Sequence, residues 1–487
     1  MISSFKRTKI MATIGPATWS EVDGDKKIEE IMKAGVDIYR LNFSHGSYEE
    51  KAAQIRDIRM AADRLGRRVA IVQDLQGPKI RLGDVKDNSL FVKTGDELIL
   101  DYALKDVEHD GSFNIPLQYN LAEKVKIGEI AYIFDGKIKT EIIEIPTKTA
   151  IKVKVLNDGE IQRKKGINLP DTDFGDDVFP QKDLDDMEWA ADKGFDFVAF
   201  SFIQSAENIR QGKELLKKYG YPDEIKVIAK IETKPSTKDE ETMEDIARTA
   251  NVILIARGDM AYEVGMEQIP TIQRKLTRIC RRLGRPVIVA TQTMGSMVDS
   301  PVPTRAEADN VATSIIRGVD VIMLSEETAV GKYPVETVAA LKKIIIFTQN
   351  HNVVNTASWL PMVERYEQPD LLCKAAVQLA EDMDVNFMIT ETQTSWTTIA
   401  TSANRPARRI ISVTDNPILA NQMVILYGVD SYVRPYERNY GQKLAEELKR
   451  DGRILIGKDE GTAIVVSGRF DTAVRTYSDT IQFRTIK

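Results

Sequence analysis

Little in this sequence could serve as a covalent staple or a soft-metal site. Only Cys280 and Cys373 are cysteine, which excludes a disulfide framework and a thiolate zinc cluster. Histidine is almost as scarce: His45, His109 and His351 are the whole set, so a three-histidine metal centre would need all of them. Charge of one sign is also missing. The 67 lysines and arginines against 73 aspartates and glutamates leave a net charge of −6, with no basic block to suggest nucleic acid or an anionic membrane as a partner. No apolar run reaches the length of a membrane span, and the opening "MISSFKRTKIMATIG" has basic residues without the apolar core of a secretory leader. The expectation is a reduced, unprocessed cytoplasmic protein of 487 residues, too large for one core.

What is present is a repeat. Short runs rich in Val, Ile and Phe, each ending on polar residues, begin at positions 8, 36, 67, 195, 225, 251, 285 and 319. Buried parallel strands read this way, because helices cover both faces and alternation disappears. Their spacings are 28, 31, 128, 30, 26, 34 and 34 residues, so every crossover but one has the length of a βαβ unit. Eight such units predict a (β/α)8 barrel of the TIM type, built from 1–76 and 180–345. The excess, 77–179, changes period: "SLFVKTGDELILDY", "EIAYIFDGKIKTEIIEI" and "TAIKVKVL" alternate, which predicts a small inserted β-domain hinged at Gly77-Pro78. From 346 to 487 the runs "VNFMITET", "RRIISVTD", "VDSYVRP", "GRILIG", "GTAIVVSG" and "DTIQFRTI" predict a separate C-terminal α/β domain.

Barrel enzymes place their chemistry at the C-terminal ends of the strands. Those ends carry Gly15-Pro16, Arg40 through His45, Asp74, Ser201, Lys230 with Glu232, Arg257-Gly258-Asp259, Thr291 and Ser325. Glu232 and Asp259, on neighbouring strands, can hold one hard divalent cation and leave positions open for substrate oxygens. Lys230, two residues before Glu232, faces the same way and suits a phosphoryl group in flight, with Arg40 as a second cation. The N–H groups of Gly258 and Asp259 at a helix start can cradle a small carboxylate. Thr291 and Ser325 can relay a proton through water. The ring suits a substrate that carries both phosphate and carboxylate.

The segments "KIMATIGPAT", "RLNFSHG", "GPKIRLG", "GINLP", "FPQKD", "AKIE", "ARGD", "ATQTM", "PTRAEADNVA" and "IMLSEETAVGKYP" occur in the order and spacing of the pyruvate kinases. The chain resembles that family across roughly residues 7–345. The resemblance implies transfer of the phosphoryl group of phosphoenolpyruvate to ADP, giving pyruvate and ATP as the last step of glycolysis. It places Lys230, Arg40, Thr291 and Ser325 in catalysis and Gly258, Asp259 and Thr291 on substrate. Glu232 and Asp259 would hold Mg2+, with Mn2+ able to replace it. Thr13, Pro16, Asn42, His45, Arg81 and Lys182 match positions on the nucleotide side, Lys182 having a lid-base salt bridge as its alternative. The insertion corresponds to a mobile β-barrel lid and the C-terminal domain to a regulatory domain. The resemblance also implies a homotetramer.

Four departures from the family pattern stand out. Ala261 and Glu326 replace usual glycines, and the lid segment "DTDFGDDVFP" leaves the nucleotide contact open among Asp173, Asp176 and Asp177. In the C-terminal domain "TQTSWTT" matches the loop that receives a sugar-phosphate effector, which makes Thr392, Thr394, Ser395 and Thr397 candidates for a phosphorylated activator. In "QDLQGPKIR" a lysine, Lys79, stands where much of the family has glutamate. There a potassium ion is held by the positions of Asn42, Ser44 and Asp74 and the carbonyl of residue 75, here Leu75. An ammonium carries the same charge, so this form resembles the branch that does not require potassium. A metal-dependent barrel aldolase acting on pyruvate enolate has no use for Lys230 or a nucleotide-covering lid, and a catalytically dead sugar-phosphate binder would have lost ring residues.

Overall fold

The computed structural model describes residues 5–107, 109–134, 136–172, 178–351, 368–437, 439–468 and 478–487. Each of the eight apolar runs contains a strand: β1 (Lys9–Thr13), β2 (Ile38–Asn42), β3 (Ala70–Asp74), β4 (Phe197–Phe200), β5 (Lys226–Ile231), β6 (Val252–Ala256), β7 (Val287–Ala290) and β8 (Val321–Leu324). They pair in parallel in chain order, and the barrel closes where Lys9 of β1 lies opposite Val321 of β8. Alternate residues divide between two cores. Ile10, Tyr39, Ile71, Val198, Ala229 and Ile322 pack outward under the helices, whereas Met11, Ile38, Val72, Ala199, Ile228 and Met323 fill the interior. Both sets are buried, which is why the runs show no alternation. Outer helices begin at side-chain caps: Ser47 with Glu50 opens Tyr48–Arg64, and Thr304 with Glu307 opens Arg305–Ile316.

The insertion is a seven-stranded sheet whose first and last strands in order are Ile80–Arg81 and Asn114–Pro116. A bridge between Leu82 and Leu117 joins those two edges, so the sheet curls into a small barrel around Leu98, Leu100, Ile133, Ile142 and Val153. A separate ribbon pairs Ser89–Val92 with Gly159–Gln162.

The C-terminal domain is a five-stranded sheet in the order Val429–Val433, Arg409–Thr414, Phe387–Glu391, Gly461–Gly468 and Ser478–Ile486. The expected strand at "GRILIG" is instead a turn following the helix Tyr440–Arg450. Gly452, Leu455 and Gly457 there have φ of 66°, 54° and 72°, values that an extended strand does not accommodate. This domain covers the N-terminal mouth of the barrel. Lys9 Nζ donates to Val429 O at 2.5 Å, Gly428 N to Arg7 O at 2.9 Å, and Gln422 Nε2 to Asp196 O at 3.0 Å. The opposite mouth is left to the lid.

Candidate active site

The interior positions Met11, Ile38, Val72, Ala199, Ile228 and Met323 are followed two residues later by Thr13, Arg40, Asp74, Ser201, Lys230 and Ser325. Each of these polar residues is therefore the next inward position at the C-terminal mouth. Arg40 Nε donates to Asp74 Oδ2 at 2.7 Å and its Nη1 to Thr13 Oγ1 at 2.9 Å. Lys230 Nζ donates to Ser201 Oγ at 2.7 Å and lies 3.5 Å from Asp74 Oδ1 and 3.6 Å from Glu232 Oε1. Lys79 Nζ donates to Asp259 Oδ1 at 2.9 Å. Three cations thus meet three carboxylates at one end of the barrel.

Their electrostatics follow from burial and from one another. Burial opposes the charge on Lys230, yet Asp74 and Glu232 hold its pKa above the ordinary lysine value. Burial pushes Glu232 up, against the pull of Lys230. Burial also opposes ionisation of Asp259, but Lys79 and Lys230 keep it below the usual carboxylate range. Glu232 Oε1 accepts the Phe202 N–H at 2.7 Å, whereas its Oε2 is buried without a hydrogen-bond partner. Such an oxygen is costly to leave bare. A divalent cation shared with Asp259 would satisfy it, so the pair fits magnesium that takes its other oxygens from substrate and water. Among the described residues no group of three or more His, Cys, Asp or Glu side chains could hold a metal by protein ligands alone.

Thr291 reaches the site by a different route. Its strand parity points it away from the interior, but its φ of 65° turns the backbone, and Gly258 N donates to Thr291 Oγ1 at 2.7 Å. Arg257 Nη2 fixes the turn by donating to Thr291 O at 2.5 Å. Ser325 Oγ is buried and has no hydrogen-bond partner.

Lys79 sits differently from the sequence expectation, which placed it in the pocket of Asn42, Ser44, Asp74 and the Leu75 carbonyl. Most of that pocket is already engaged, although Asp74 Oδ1 is buried without a hydrogen bond, 3.5 Å from Lys230 Nζ. Arg40 takes Asp74, Ser44 N donates to Asn42 Oδ1 at 3.0 Å, and Ser201 Oγ donates to Leu75 O at 2.6 Å. With Asp74 already paired, the ammonium goes to Asp259. On the nucleotide side, Pro16 and His45 are exposed at the rim. Arg81 Nη1 donates to Lys164 O at 3.2 Å, and Lys182 Nζ pairs with Asp186 Oδ2 at 2.7 Å, one helical turn onward. Asp173, Asp176 and Asp177 lie outside the described residues. In the effector loop Thr392, Ser395 and Thr397 are buried and Thr394 is exposed, while Ser395 Oγ accepts from Lys226 Nζ of the barrel at 3.1 Å.

Sequence reasoning missed Asp183. Its carboxylate, 1 % exposed, accepts the N–H groups of Gln76 at 3.1 Å and Gly77 at 2.9 Å, tying the two ends of the insertion together. Burial pushes its carboxyl up to about 7, against the pull of those N–H groups. Gly77 has φ 71°, and a Cβ there would lie 2.7 Å from that of Ser201. In the sequence Asp183 reads only as an acidic residue in the first turn of a helix.

Residues 5–338 match the family model "Pyruvate kinase, barrel domain", and residues 370–482 match "Pyruvate kinase, alpha/beta domain". The chain belongs to the pyruvate kinase family. As a pyruvate kinase family member it is a phosphotransferase. It is 35% identical over 474 residues to a pyruvate kinase of Agrobacterium vitis, covering 96% of both chains. It is 34% identical over 429 residues to one from Bacillus licheniformis, covering 87% of this chain and 71% of that protein. A pyruvate kinase of Thermococcus litoralis is 32% identical over 469 residues, covering 95% of each. The barrel-domain match of the pyruvate kinases spans the whole charged ring, from Thr13 to Ser325. Among the described residues no helix is long and apolar enough to cross a membrane.

Proposed function

We propose that the chain transfers the phosphoryl group of phosphoenolpyruvate to ADP, using Mg2+, or Mn2+ in its place, held by Glu232 and Asp259, with no requirement for potassium. The observation that carries this reading is the bare, buried Oε2 of Glu232, a carboxylate whose other oxygen lies 3.6 Å from Lys230 Nζ, at the mouth that also holds the pairs Arg40–Asp74 and Lys79–Asp259. Arg40 and Lys230 receive the phosphate. Lys230 opposes the charge on the phosphoryl oxygens as the P–O bond to the enol oxygen breaks and a bond to a β-phosphate oxygen of ADP forms. Bound at Glu232 and Asp259, the divalent ion supplies positive charge to the enolate oxygen. The start of the helix Arg257–Val264, with Thr291, receives the substrate carboxylate. Thr291 and Ser325 order the water that delivers a proton to the methylene carbon, which completes pyruvate. Lys79 supplies from within the chain the charge that potassium supplies elsewhere.

The lid carries nucleotide contacts through Arg81 and the barrel rim carries them through Thr13, Pro16, Asn42, His45 and Lys182. A cytoplasmic homotetramer answering to a phosphorylated activator completes this reading. Thr394 is the one exposed hydroxyl of the proposed effector loop. Phosphorus NMR of the protein with phosphoenolpyruvate, ADP and magnesium tests the reaction. The γ-phosphate of ATP should grow in step with pyruvate and stop on chelation; pyruvate without ATP, or neither product, would refute it.

A further inference from the structure

The covered mouth of the barrel holds a second concentration of charge. A cavity of about 260 Å³ lies where the C-terminal domain meets the starts of β1, β2 and β3. Four arginines line it: Arg67 and Arg68 from the barrel, Arg409 and Arg453 from the C-terminal domain. Lys6, Lys9 and Lys342 join them, and the only carboxylates in the wall are Asp37 and Asp430. Seven cations against two acids leave an excess of five positive charges in one half-open cleft.

The partners on hand do not neutralise this excess. Asp37 pairs with Lys6 and lies 3.5 Å from Arg67 Nη2, and Asp430 pairs with Arg409. Lys9 and Arg453 donate to the carbonyls of Val429 and Gly66, at 2.5 and 2.8 Å, and these carry no net charge. Arg68 and Lys342 have no hydrogen-bond or ion-pair partner among the described residues, and Arg409 Nε is buried without one. Burial brings Lys6 down to about 8, with Lys9 and Arg67 adding to the fall against Asp37. Like charges kept at this density in a cleft attract a multiply charged counterion.

We propose that this cleft is a binding site for a small phosphorylated anion, held between Arg68 and Lys342 of the barrel and Arg409 of the C-terminal domain. Planar guanidinium forks match phosphate oxygens in pairs. The volume accommodates a phosphate with a sugar-sized body, and the ligand touches both domains. The site is separate from the catalytic mouth, which is at the other end of the strands, and from the loop of Thr392 to Thr397, none of which lines it.

The test uses the full chain and three probes, inorganic phosphate, ribose 5-phosphate and citrate, measured by calorimetric titration and by the shift in thermal midpoint. The variants are Arg68→Ala with Lys342→Ala, which breaks no ion pair, and Thr394→Ala as a control. Phosphate groups also reach the catalytic mouth, so the difference between wild type and the double variant is the readout. One or both phosphate probes should bind the double variant at least tenfold more weakly at this second site, while turnover and the midpoint without ligand stay unchanged. Thr394→Ala, which alters only the proposed effector loop, should keep the binding component that the double variant loses. Equal binding of the phosphate probes by wild type and double variant overturns the site. Loss in Thr394→Ala of the same component that the double variant loses, or binding of citrate alone, overturns its location or its ligand class.

Discussion

Lys79 Nζ donates to Asp259 Oδ1 at 2.9 Å, so a residue just past the lid's first hinge pairs with a carboxylate at the start of the helix after β6. Near 4 Å and at an effective dielectric of 20, two unit charges attract by about 4 kcal/mol. The contact gives Asp259 a cation before any metal arrives.

Removing either half of the proposed metal and phosphoryl machinery should cost turnover and spare the fold. Asp259→Ala should abolish magnesium-dependent turnover, and Lys230→Met should lower kcat by a thousandfold or more, about 4 kcal/mol in barrier. Steady-state kinetics alongside circular dichroism decides this. Near wild-type turnover in either folded variant would remove that residue from the assignment.

Asp183 makes stability depend on pH in a definite direction. Its carboxyl is raised from 3.8 to about 7 in the folded chain, so between those values the folded state holds the proton that the unfolded chain has released. Its contribution to stability is fully present below about pH 4, falls as pH climbs to about 7, and is level above that. Asp183→Asn cannot titrate. The difference in unfolding free energy between wild type and variant, from urea melts, should therefore shift against wild type across that window; a constant difference would contradict it.

Ser325 Oγ has no hydrogen bond to lose, so Ser325→Ala should change stability by no more than about 0.5 kcal/mol. It should slow proton delivery to the enolate carbon. Exchange of pyruvate methyl protons with deuterated water, followed by NMR, should fall several-fold with substrate binding intact. Unchanged exchange would take Ser325 out of the relay.

The barrel was legible because each strand is buried on both faces, and its ring was legible because inward parity places Thr13, Arg40, Asp74 and Lys230 toward the C-terminal ends of their strands. Contacts that depend on where a hinge sends the chain were not. Lys79 and Asp259 are 180 positions apart, and nothing local says that Arg40 takes Asp74 first. Thr291 depends on a left-handed turn that no glycine marks. Asp183 has the composition of an ordinary first-turn acid, and only its burial against Gly77 shows it as a tie between hinges. At "GRILIG" an apolar run mimicked a strand because Leu455, at φ 54°, packs back toward Gly461 from within a turn.

Potassium dependence tests the central claim most directly, because it asks whether the chain itself provides the charge beside the transferring phosphate. Pyruvate formation should be measured in tetramethylammonium buffer with saturating phosphoenolpyruvate, ADP and magnesium, before and after adding potassium, for wild type and Lys79→Glu. The account predicts a wild-type rate that is full without potassium, and a Lys79→Glu rate that collapses without it and recovers in part when it is added. A wild-type rate that rises tenfold on adding potassium, about 1.4 kcal/mol in barrier, would contradict it.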